Sequence, residues 1–108
     1  MATFDDFLSE LKGEVKDLVE KSWADLKGSA TKDANEFIKA TAEDLKRWTS
    51  LMADGSLTIQ EFEFLVGAKK DLAKMTALKK AGLAKVQADR FFYSLVGTVV
   101  NAATKSFL

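Results

Sequence analysis

The sequence predicts an all-α fold, and three observations carry that prediction. Apolar residues recur at three- and four-residue steps over most of the chain, proline is absent from all 108 residues, and helix-start signals stand at Thr3 and Thr58. A chain of this length is one domain, residues 1–108, and buries roughly two-thirds of the surface its unfolded form exposes. Nearly half the residues are apolar and 30% are charged, a balance suited to a helical bundle and far from that of a disordered chain.

The first helix is expected over residues 3–27. Thr3 is placed to cap it, with Asp5 and Asp6 in the first turn where carboxylates meet the positive end of the helix dipole. Phe4, Phe7, Leu8, Leu11, Val15, Leu18, Val19, Trp23 and Leu26 form one stripe, and Lys27-Gly28 supplies a basic last turn and a residue able to end it. Ser29 to Asp33 then reads as a short connector, with Asp33 and Glu36 in capping-box spacing.

A second helix is expected over 33–53, its inner stripe made of Ala34, Phe37, Ile38, Thr41, Leu45, Trp48 and Leu51 or Met52. The short connector makes the first two helices antiparallel neighbours. Trp23 and Trp48 each lie on the apolar stripe of their helix, which makes them core residues. At Asp54-Gly55-Ser56-Leu57-Thr58 the chain turns and restarts: Thr58 and Glu61 form a capping box, and Leu57 and Phe62 a hydrophobic staple.

From Ile59 onward the sequence offers no polar loop, and a long third helix to about residue 105 is expected, on the order of 70 Å from end to end. Its apolar face changes phase. Leu65, Ala68, Leu72, Met75, Leu83 and Val86 define one stripe, and Phe92, Leu95, Val96, Val99, Val100 and Ala103 another. A four-helix bundle broken near Gly82 satisfies the same pattern. Continuity is adopted because Ala81-Gly82-Leu83 leaves no room for a conventional connector and holds no capping side chain.

If that helix is continuous, two shorter helices leave its far end bare. The face formed by Phe92, Leu95, Val96, Val99, Val100 and Ala103 is then expected to close a homodimer or higher oligomer. Charge is also uneven along the chain. Residues 1–66 carry 14 acidic and 8 basic side chains, net −6, whereas residues 67–108 carry 2 and 8, net +6. Attraction between the halves is the simplest meaning, within one chain or between copies. Lys69, Lys70, Lys74, Lys79, Lys80, Lys85 and Arg90 form the candidate surface for an anionic partner, as a membrane-surface or nucleic-acid module. Those residues spread over several helical faces with no interleaved aromatics, which disfavours nucleic acid.

Asp54-Gly55-Ser56-Leu57-Thr58-Ile59-Gln60-Glu61-Phe62 resembles the second half of an EF-hand calcium loop. The resemblance implies Asp54, Thr58 and Glu61 as metal ligands, with the Ser56 carbonyl between them. It covers nine residues; the positions that should open such a loop hold Ser50 and Met52, and a thioether is no ligand for a hard cation. The same residues also read as a turn, a cap and a capping box without metal.

Other classes are addressed by composition. With neither Cys nor His, the chain has no thiolate, no imidazole base and no ordinary zinc or Glu-x-x-His di-iron site. No phosphate-binding glycine loop or nucleophile elbow occurs, so no enzyme activity and no cofactor are expected. The run Phe91 to Val100 is far short of the ~20 residues that span a bilayer, though peripheral membrane contact is compatible with it. The acidic start lacks the features of an export signal, which places the chain in the cytoplasm. The sequence thus reads as a non-catalytic helical assembly or interaction protein that self-associates through its C-terminal helix.

Overall fold

The computed structural model describes residues 3–108. Met1 and Ala2, part of the acidic start read above, lie outside the described residues. Every regular element among the described residues is helical: α1 (Phe4–Ser22), α2 (Lys27–Ala53), α3 (Ile59–Gly67), α4 (Thr76–Lys80) and α5 (Lys85–Phe107), with single 3-10 turns at Ala24–Leu26 and Lys70–Leu72.

The start of α1 follows its sequence signal. The Thr3 hydroxyl accepts from the Asp6 amide at 3.2 Å and the Asp6 carboxylate accepts from the Thr3 amide at 2.9 Å. The helix ends at Ser22, short of the expected Lys27, because the corner is built from apolar side chains turning inward. Trp23 leaves helical geometry at φ −134° and packs edge-on against Phe91, with ring centroids 5.1 Å apart, and Leu26 joins the same core. The polar stretch from Ser29 to Asp33 is therefore no connector. It lies inside α2, which begins at Lys27.

Along α2 the buried side chains include Ala30, Ala34, Phe37, Ile38, Leu45, Trp48 and Met52. Two hydroxyls are buried with them, and both are satisfied locally: Thr41 donates to the Phe37 carbonyl and Thr49 to the Leu45 carbonyl, each at 2.8 Å. The helix stops at Gly55, whose φ of +85° suits a residue without Cβ. There the Gly55 amide donates to the Met52 carbonyl and the Ser56 amide to the Leu51 carbonyl, the paired bonds of a Schellman motif. Thr58 and Glu61 then form the expected capping box, at 3.1 and 3.0 Å.

The continuous third helix does not exist. Its expected length of about 70 Å exceeds the longest dimension of the molecule, 42 Å. The chain breaks after Gly67, makes one 3-10 turn, and passes through Met75 in the left-handed region at φ +51° before α4. It breaks again near Gly82, where the alternative reading put a break. Gly82 has φ +94°; its amide donates to the Lys79 carbonyl, and the Leu83 amide donates to the Leu78 carbonyl. This second Schellman motif turns the chain with a single glycine, so no longer connector is needed.

The start of α4 has no capping side chain of its own, since Met75 occupies the N-cap position. Asp33 supplies the cap from the second turn of α2. It is 3% exposed, and its two carboxylate oxygens accept from the Ala77 amide at 3.0 Å and the Leu78 amide at 2.8 Å. These are the amides that an N-cap side chain serves in other helices, and a carboxylate also meets the positive end of the short helix. Asp33 therefore caps α4, and the local capping box with Glu36 read from the sequence is not formed.

With α4 fixed on α2, the chain reverses and α5 packs along α1, with further contact to α3 and α2. Phe91, Phe92, Leu95, Val99, Ala102 and Ala103 are each no more than 1% exposed. Phe92 meets Phe37 edge-on at 5.3 Å, and Trp48 meets Phe62 edge-on at 6.4 Å, so aromatic pairs tie α5 and α3 to α2. One cluster of buried residues draws on α1, α2, α3, α4 and α5.

Replacing Asp33 with Ala leaves the two α4 amides without acceptors, at about 1–3 kcal/mol for each buried group. The expected loss is roughly 2–6 kcal/mol in urea denaturation, against about 1 kcal/mol for Thr58→Ala at an exposed cap. Equal losses for the two variants would mean that Asp33 is no more than an ordinary cap.

Candidate functional site

The face assigned to an oligomer lies inside the monomer. Phe92, Leu95, Val96, Val99 and Ala103 are buried and Val100 is half-buried, all packed in or against the chain's own core. The expectation that they meet a second chain depended on a continuous third helix. The breaks between Gly67 and Lys85 allow α1, α2 and α3 to cover them instead.

Two of the seven basic residues are paired within the chain and five are exposed. Lys69 lies 3.4 Å from Asp44 and over the Trp48 ring, and Lys70 lies 3.2 Å from Asp89 and over the Tyr93 ring. The hydrogen bond to Asp89 raises the Lys70 pKa above its ordinary value. Lys74, Lys79, Lys80, Lys85 and Arg90 are exposed on the connector, on α4 and on the first turns of α5. Lys69 thus ties the basic half to the acidic half, whereas Lys70 pairs within the basic half.

At the turn resembling a half EF-hand, each side chain has a backbone donor. Asp54 accepts from the Ser56 amide at 2.9 Å, Thr58 accepts from the Glu61 amide, and Glu61 accepts from the Thr58 amide. Hydrogen bonding from the Ser56 side chain, then from its amide, lowers the pKa of Asp54, and the Thr58 amide, then its side chain, lowers that of Glu61. Among the described residues, no three acidic side chains converge on a point that would hold a metal ion.

A polar seam joins α1 to α5. Glu14 accepts from the Asn101 side-chain amide at 2.6 Å, and the Lys105 ammonium lies 3.5 Å from Glu10 and 3.9 Å from Glu14. The second Glu14 oxygen is buried, with no hydrogen-bond partner among the described residues. Burial raises the Glu14 pKa; Asn101 opposes that shift, and neighbouring Glu10 adds to it.

A further surface feature lies between α1 and α2. A groove of about 710 Å³ runs beside Leu8, Val15 and Val19 of α1 and Ile38 and Ala42 of α2. Its size falls within the roughly 300–1,000 Å³ typical of binding clefts. Lys12 and Lys16 stand along one wall and Lys27 and Lys39 along the other, and no carboxylate lines it. Residues 1–66 are net −6, yet half of their eight cations gather here. Lys27 is 3.4 Å from Glu20; Lys12, Lys16 and Lys39 have no ion pair among the described residues.

The sequence contained a partial signal for this groove. Lys12 and Lys16 flank the apolar stripe of α1 at a spacing of four, and Lys39 follows buried Ile38. What could not be read was that the two flanks face each other, because that depends on α2 starting at Lys27.

A second surface feature is opposite in sign. Phe64 on α3 is 75% exposed, and Glu61 and Glu63 lie on the same nine-residue helix, which carries no Lys or Arg. With Leu57, Gln60 and Leu65 it borders a shallow hollow. No helix among the described residues is long and apolar enough to cross a membrane.

Comparisons of the chain with protein-family models, curated proteins and solved structures find no match. The functional reading therefore comes from the geometry.

The state of Glu14 gives a test of the α1–α5 seam. Folding raises its pKa, so its charged form opposes folding above that raised value, and the opposition disappears as pH falls toward the ordinary carboxylate range. Glu14→Gln should raise the denaturation midpoint at pH 7, and its advantage over the wild type should shrink as pH falls toward about 5. A variant less stable than wild type at both pH values would contradict the assignment.

Proposed function

We propose that this protein is a non-catalytic helical assembly module, and that its working surface is the groove between α1 and α2, which seats an acidic, apolar-faced protein segment. The observation that carries this reading is the gathering of four lysines, without a carboxylate, around an apolar floor in the acidic half of the chain. Apolar floors supply affinity without direction, while the charged rim selects partners and fixes register.

The layout of charge narrows the partner. Lys39 stands toward the Leu8 end, Lys27 toward the Val19 end, and Lys12 and Lys16 between them. From Leu8 to Val19 is about 16 Å of helix, the length of roughly three turns. A single lipid headgroup concentrates its charge at one end. A short helix with carboxylates flanking an apolar stripe presents charge along the whole length, and this is the helix-in-groove mode of recognition.

A synthetic amphipathic helix with an apolar stripe flanked by glutamates should bind the protein, with affinity falling as salt rises. Lys12→Glu together with Lys16→Glu should weaken binding at least tenfold, or about 1.4 kcal/mol, while leaving helicity unchanged. Equal affinity for wild type and the double variant by fluorescence anisotropy would remove the groove from consideration.

A further inference from the structure

Resting on the reading of the groove as the working surface, we infer that its occupant is α3 of a second copy of this chain, with Phe64 entering between the lysines. The two features complement each other in shape and in charge. Phe64 is a large side chain left 75% exposed on a short helix, and a phenyl ring is costly to leave in water. Beside it stand Glu61 and Glu63, with Asp54 in the preceding turn, and no base on α3 offsets them. The groove presents the reverse arrangement, an apolar floor between Lys12 and Lys16 on one side and Lys27 and Lys39 on the other.

The capping box leaves α3 able to make this contact. One Glu61 oxygen accepts from the Thr58 amide at 3.0 Å, and the other has no partner among the described residues. Glu61 and Phe64 are three residues apart and share a helix face, so a lysine at the groove wall can meet the carboxylate while the ring enters. Residues 59–67 form about 13 Å of helix, close to the roughly 16 Å of groove.

Donor and acceptor surfaces differ, so the contact is heterologous. Each copy carries both a free groove and a free α3, and association either closes by reciprocal exchange or continues from copy to copy. This differs from the expectation drawn from the sequence, which placed self-association on Phe92 to Ala103. Here those residues remain in the monomer core.

The test uses two variants of the full chain, each lacking one half of the contact. Phe64→Glu removes the knob and keeps the groove; the Lys12→Glu, Lys16→Glu double variant removes one groove wall and keeps the knob. Light scattering after size exclusion at low salt should show mass above that of one chain for wild type, one chain for either variant alone, and twice that mass when the variants are mixed. Circular dichroism on each variant checks that the helices are intact.

A wild type of single-chain mass up to millimolar concentration at low salt would overturn the inference, as would two folded variants that fail to associate when mixed. Binding of the acidic peptide to Phe64→Glu separates the two levels of the argument. If that peptide binds and the mixed variants do not, the groove reading stands and the second copy is not its occupant. If binding goes to anionic vesicles alone, both are wrong.

Discussion

The structure depends on one buried carboxylate placed against the start of a five-residue helix. Asp33 sits in the interior of α2, where aspartate is a mediocre helix former, and its charge is nearly out of contact with water. What makes that position tenable is the pair of amides from Ala77 and Leu78, two charge-assisted bonds across more than 40 residues of chain. A helix of five residues does not persist alone in water, because nucleation is unfavourable and too few bonds follow it. Capped by Asp33 and anchored by buried Met75 and Leu78, α4 becomes a fixed corner. From it α5 returns along α1, and its apolar face becomes the centre of the core.

This dependence explains what the sequence could and could not show. The all-α class, the cap at Thr3, the capping box at Thr58, the Gly55 turn and the core placement of Trp48 are written in local spacing, and the structure contains them. Local patterns and tertiary structure disagree in two places. Ser29 to Asp33 has the residue types of a connector, but the corner is decided by Trp23 and Leu26 packing inward, a tertiary effect. The phase change in the apolar pattern, between the stripe from Leu65 to Val86 and the stripe from Phe92 to Ala103, records a change of direction near Gly82. Lys79-Lys80, then Gly82, then Leu83 is a legible helix stop; the restart after it has no side-chain cap at Ala84, and the cap of α4 lies on another helix.

The same correction moves the functional reading. A continuous third helix demands a second chain to cover its widest apolar face. Once α5 is covered by α1, α2 and α3, that demand disappears, and what remains at the surface is smaller and more specific. One groove concentrates cations in the acidic part of the chain, and one short acidic helix holds a phenyl ring out to solvent. The first follows from α2 beginning at Lys27. The second follows from the helical period of α3, which places Phe64 on the side opposite buried Phe62 and Val66.

The account stands most directly on the Asp33 cap, and site-resolved native-state hydrogen exchange tests it. If the cap anchors α4 as described, the Ala77 and Leu78 amides should exchange only through global opening, with protection matching that of core amides in α2 and α5 despite the length of α4. Exchange of these two amides at the rate of an exposed loop would contradict the cap and, with it, the corner that folds α5 into the core.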